Sequence, residues 1–141
     1  MRVWDINFRR QVLIKSKKYQ IDWNKSPSKE QQILQDFLYP YWYNKIVLKE
    51  FRIPSSLLRL DLICVTNRTV IEYSPISHHG NFNQFFHKTR NNYGQSIRRD
   101  SQKYDWITDS RNNLKFIELN EEDLSFLSLN YIKEKFDIFI I

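Results

Sequence analysis

Leu57-Leu58-Arg59-Leu60-Asp61-Leu62-Ile63-Cys64-Val65, then Thr66-Asn67, then Arg68-Thr69-Val70-Ile71-Glu72-Tyr73, is the stretch that decides the fold. Two aliphatic, β-branched runs separated by a short turn predict an antiparallel hairpin. Each run carries one carboxylate, Asp61 in the first and Glu72 in the second. A buried, unpaired carboxylate costs several kcal/mol, so both acids are out of place in a core. On adjacent strands they can meet at one end of the hairpin. A divalent cation relieves their repulsion, and hard oxygen ligands suit Mg²⁺ or Mn²⁺. The competing expectation is two exposed acids paired with Arg59 and Arg68.

Working outward, Lys45–Ile53 reads as a preceding strand ended by Pro54. Before it, Ser26-Pro27 predicts a helix start, and Pro40 predicts its end after Tyr39. Ile33, Leu34, Phe37 and Leu38 form the expected apolar stripe, which places Glu30 on the buried face. Phe8, Val12 and Ile14 are expected on one face of a weak N-terminal strand, with Arg9, Gln11 and Leu13 on the other. Downstream, residues 75–90 read as a loop carrying all three histidines. A helix is expected over 91–109, with Ile97, Asp100, Tyr104 and Ile107 on one side and Trp106 and Tyr104 in the core. A strand at 114–119 and a helix from Asn120 follow, the helix supported by Glu121, Glu122 and Asp123 in its first turn. The apolar end, Phe136–Ile141, reads as a last strand or an oligomer contact. The order α-β-β-β-α-β-α predicts an α/β sandwich around a mixed sheet.

The charge is uneven. Residues 1–25 hold seven Lys or Arg against two Asp, so most of the formal +6 lies there. A basic segment, 1–25, on a near-neutral domain, 26–141, points to an anionic partner such as nucleic acid. Arg9, Arg10, Lys15, Lys17 and Lys18 form one candidate contact patch. Lys88, Arg90, Arg98, Arg99 and Lys103 form another, suited to phosphate contacts that are salt-dependent and independent of sequence. The single cysteine, Cys64, excludes an internal disulfide and reads as a small core residue. No stretch approaches a membrane span, and the first residues lack a signal-peptide core, so the expected compartment is the cytoplasm.

With these residues in hand, Leu-Arg-Leu-Asp-Leu at 58–62 and Val-Ile-Glu-Tyr at 70–73 resemble the PD-(D/E)XK nuclease signature. The ordered set Glu30, Asp61, Glu72, His78 and Asp100 resembles the branch of very-short-patch-repair-like and EDxHD-type phage homing endonucleases. The resemblance covers roughly residues 26–119. It implies a restriction-endonuclease-like three-layer sandwich, with a central mixed sheet flanked by helices. It also implies metal-dependent hydrolysis of phosphodiester bonds in DNA, while RNA stays open as the nucleic acid. Asp61 and Glu72 would hold Mg²⁺ or Mn²⁺, Glu30 and Asp100 would complete an acidic cluster, and His78 would move a proton. A phage or mobile-element source is implied too, acting in the host cytoplasm at the nucleoid. One position departs from the pattern. Ser74 stands where a lysine, glutamine or aspartate usually follows the glutamate, so Lys88 or Lys103 is expected to supply the cation. The alternative is a nuclease fold without catalysis, serving as a nucleic-acid-binding or assembly subunit. A homodimer or larger complex through the apolar C-terminal tail is expected if specificity is high.

Overall fold

The computed structural model describes residues 1–75 and 101–141. The chain is a mixed α/β protein. β1 (Arg2–Trp4) and β2 (Gln11–Leu13) form a small antiparallel ribbon, followed by α1 (Ser16–Tyr19) and α2 (Lys29–Trp42). The main sheet is built from β3 (Val47–Arg52), β4 (Arg59–Cys64), β5 (Thr69–Tyr73) and β6 (Lys115–Leu119), in that spatial order. The first three are antiparallel neighbours, and β6 joins β5 in parallel. A helix, α3 (described over 101–108), precedes β6, and α4 (Glu121–Leu124) and α5 (Leu129–Phe136) follow it.

The sheet separates two cores. On one face, Leu34, Leu38 and Trp42 of α2 and Ile132 of α5 pack on Leu62, Ile71 and Ile117. On the other, Val3, Ile6 and Ile14 of the N-terminal segment join Trp106 and Ile107 of α3 over Leu48, Phe51, Leu60, Ile63 and Val70. The basic N-terminal segment therefore contributes a layer of the fold. Asn112 ties it down by accepting the Trp4 N–H, while Trp106 Nε1 donates to the Trp4 carbonyl.

Several sequence expectations are corrected. α2 starts two residues later than expected: Ser28, not Ser26, accepts the Gln31 N–H and caps the helix. Pro40 does not end it, and the helix continues to Trp42. Proline costs the bond that its own N–H would have made, and burying the Trp42 indole against the sheet offsets this. The buried stripe is rotated from the expected one. Gln31, Leu34, Gln35, Leu38 and Trp42 face inward, while Ile33 is 48 % exposed. Gln35 is tolerated there because its Nε2 donates to the Asp22, Trp23 and Lys25 carbonyls. Phe8 lies in the β1–β2 turn, outside the expected strand, although Gln11, Val12, Leu13 and Ile14 do alternate in exposure. Tyr104 is half exposed rather than core, whereas Trp106 is fully buried.

The expected helix from Asn120 is two helices. Asn120 and Asp123 form a reciprocal capping box on the first, and Ser128 caps the second. The C-terminal run forms no strand. Instead Ile140 is buried, and its carbonyl accepts the Trp42 indole and Asn67 Nδ2 protons. Cys64 is buried, as its apolar setting led one to expect. With only two glycines in the chain, Phe8, Glu50, Ser55, Arg68, Asn113 and Asp137 take positive φ themselves, at roughly 1 kcal/mol each.

Candidate active site

The main sheet is regular up to Leu62 and then breaks. β4 pairs with β5 through Cys64↔Thr69, Ile63↔Val70 and Leu62↔Ile71, and the ladder stops there. On its other side β4 pairs Lys49↔Leu62 and Phe51↔Leu60, leaving Glu50 and Asp61 between them. Glu50 adopts φ 52° at this level. Leu48 and Phe51 then face the same core although three residues apart, as do Leu60 and Ile63. Strict alternation would place such pairs on opposite faces. Both strands therefore kink together, and Asp61 sits at the kink.

Side chains replace the missing ladder bonds. The Asp61 N–H donates to Glu72 Oε2 at 2.8 Å, and the Tyr73 N–H donates to Asp61 Oδ2 at 2.9 Å. Each carboxylate thus uses one oxygen to hold the opposite strand. Sequence alone pairs the two acids. It does not show that they support each other's backbone.

Glu72 is 4 % exposed, two residues along β5 from Val70 and on the same face. Burial, then the neighbouring Asp61 charge, pushes its carboxyl up to about 8, and the Lys103 ammonium partly offsets this. Lys103 reaches over from α3. Its Nζ lies 2.6 Å from Glu72 Oε1 and donates to the Arg59 carbonyl at 2.9 Å. This close approach compensates the Glu72 charge. Lys103 thus sets an ammonium against the buried acid of the pair.

The remaining candidates fall differently. Glu30 is half-buried at the first turn of α2, with no hydrogen bond or ion pair to Asp61 or Glu72. Its charge instead bears on Tyr73, whose hydroxyl is pushed up first by burial, then by Glu121 and Glu30. Glu118, which sequence reasoning missed, stands opposite Glu72 in the parallel register. The signal was available, since a strand at 114–119 parallel to the hairpin puts an acid at that level. Even so, no group of three ligating side chains assembles among the described residues. Arg9, Arg10, Lys15, Lys17 and Lys18 are all exposed. His78, Lys88, Arg90, Arg98, Arg99 and Asp100 lie outside the described residues.

The donor chemistry fits a divalent cation. Asp61 Oδ1 and Glu72 Oε1 are the oxygens not spent on backbone N–H groups. Two carboxylate oxygens are what Mg²⁺ usually takes from a protein, and Lys103 would leave Glu72 Oε1 to make way for the ion. Comparison with known protein families, with curated proteins and with solved structures gives no match.

Proposed function

We propose that the protein is a metal-dependent endonuclease that hydrolyses phosphodiester bonds in DNA, built on a restriction-endonuclease-like sandwich. The observation that carries this reading is the meeting of Asp61, Glu72 and Lys103 where β4 and β5 part. Two acids facing one another, one of them buried, are costly to maintain for structure alone. Such pairs, with strongly shifted protonation, concentrate at sites of chemistry.

Asp61 and Glu72 would hold Mg²⁺ or Mn²⁺. When bound, the ion supplies Lewis acidity toward a phosphate oxygen and a water acidic enough to attack near neutral pH. The chain's own residues do the rest. The crossed bonds to the Asp61 and Tyr73 N–H groups fix both carboxylates before any ligand arrives, so little ordering is left for the reaction. Lys103, anchored on the Arg59 carbonyl, stands where an ammonium can orient a water or steady charge developing on a phosphate. Exposed Arg9, Arg10, Lys15, Lys17 and Lys18 lie in or beside the segment that covers the Glu72 face, and would hold the backbone. His78 remains the candidate for proton transfer, on the resemblance alone.

The test is incubation of supercoiled and branched DNA with the protein in Mg²⁺ or Mn²⁺. Wild type should nick or linearise the DNA, and Lys103→Ala should do so on the order of 100-fold more slowly. If wild type binds DNA fully yet never cuts it, the binding-subunit reading replaces this one.

A further inference from the structure

A second feature lies on the same layer as the acid pair. β2 and α1 meet the end of β3 around a cavity of about 220 Å³. Val12, Ile14, Tyr19, Phe51, Ile53 and Pro54 form its walls. Tyr19 and Phe51 meet edge to face, with centroids 5.2 Å apart. Lys15, Lys18 and Arg52 also line it, and no carboxylate does. Among the described residues none of these three cations makes an ion pair. Arg52 is steadied by its Nε donating to the Ser56 carbonyl.

The dimensions and chemistry narrow the occupant. Sites for drug-sized ligands start near ~300 Å³, so this cavity takes one ring system and no more. Aliphatic and aromatic walls favour a flat apolar face, while three lining cations without an ion pair among the described residues favour negative charge attached to that ring. A nucleotide has both parts. Arg52 pairs with Arg59 across the β3–β4 ladder, and the Arg59 carbonyl holds Lys103 beside Glu72. At ~4.8 Å between strands and ~3.3 Å per residue, the cavity and the acid pair are separated by on the order of 10 Å, a reach of a few nucleotides.

We propose that this cavity receives one unstacked base of the nucleic-acid strand, with the flanking phosphates on Lys15, Lys18 and Arg52. The site would make an extrahelical or single-stranded nucleotide the recognised feature of the substrate. The proposal rests on the nucleic-acid reading given above but not on catalysis, and the two can fail separately.

The experiment measures affinity in EDTA, where cleavage plays no part. Duplexes carry either one unpaired 2-aminopurine or one abasic residue at the same bulge. Wild type should bind the unpaired base at least tenfold tighter than the abasic bulge, with a change in 2-aminopurine fluorescence. Val12→Trp, which fills the cavity, should abolish the preference while leaving abasic binding intact. Arg52→Ala, at an exposed position, should weaken binding of the unpaired base severalfold even if Val12→Trp fails to fold. Equal affinity for both duplexes overturns the proposal, as does a preference that survives in folded Val12→Trp or an affinity unchanged in Arg52→Ala. Saturation by free dAMP at the affinity of the bulged duplex also overturns it, by making the site one for free nucleotides. A preference without cleavage in Mg²⁺ sinks the nuclease reading alone, and cleavage without a preference sinks the pocket alone.

Discussion

Glu72→Gln should remove a pH dependence of stability that the wild type carries. In the unfolded chain Glu72 releases its proton near the ordinary value of 4.5, whereas in the folded protein burial and Asp61 hold it until about 8. Between those values the native state binds more protons than the unfolded one, so stability falls as pH rises and levels off above about 8. Below 4.5 both states are protonated and the effect vanishes. The difference is roughly 3.5 pH units, which at ~1.4 kcal/mol each sets an upper bound of roughly 5 kcal/mol. Lys103 and Asp61 can readjust, so a loss of at least ~2 kcal/mol from this residue is expected. Glutamine keeps the shape and the acceptor for the Asp61 N–H without the charge. Urea titrations from pH 5 to 9, followed by tryptophan fluorescence from the buried Trp42 and Trp106, report the difference. Wild type should lose stability across the range relative to Glu72→Gln, and the two curves should separate most at pH 8–9. At pH 8, Mn²⁺ at a hundred times its dissociation constant should return ~2.7 kcal/mol to wild type and nothing to the variant. Parallel pH curves for the two proteins would refute the reasoning.

Removing the ammonium in Lys103→Met should tighten Mn²⁺ binding, because a competing cation leaves Glu72, yet slow cleavage; calorimetry and a plasmid assay should move in opposite directions. Asp123→Ala should cost ~2 kcal/mol, because the buried carboxylate caps Asn120 N–H at 2.8 Å and also takes Tyr131 and Lys135. Burial pushes the Asp123 carboxyl up, but Lys135, Tyr131 and the Asn120 N–H outweigh it and hold it below its ordinary value. Its contribution is therefore present above pH ~4 and lost as pH falls further, which acid titration of wild type and variant will show. Trp42→Ala should destabilise by ~3–5 kcal/mol, since the indole is fully buried and holds the Ile140 carbonyl; thermal melts measure it.

The hairpin, the strand at 115–119 and the pairing of Asp61 with Glu72 were readable because two-residue periodicity and misplaced charge are local signals. The kink at Glu50 and Asp61 was not, because it is written only in a shift of facing between Leu48 and Phe51 and between Leu60 and Ile63. The rotation of α2 hinged on Gln35, a polar residue that looks solvent-facing until the carbonyls of residues 22–25 are placed over it. Trp42 as a core anchor was hidden behind Pro40, where local backbone preference lost to burial. Lys103 beside Glu72, 31 residues away in sequence, was named only as one of two lysines that the resemblance offered, because spacing does not encode the contact. The N-terminal segment read as a basic segment because its charges outnumber Val3, Ile6 and Ile14, its buried residues in the core.

Asp61 and Glu72 are the proposed acids of a metal-dependent nuclease. The most direct measurement is cleavage of supercoiled DNA in Mn²⁺ by wild type and by Glu72→Ala, at matched DNA affinity. Wild type should convert the substrate to nicked or linear product, and Glu72→Ala should leave it supercoiled. Equal rates for the two proteins would contradict the account.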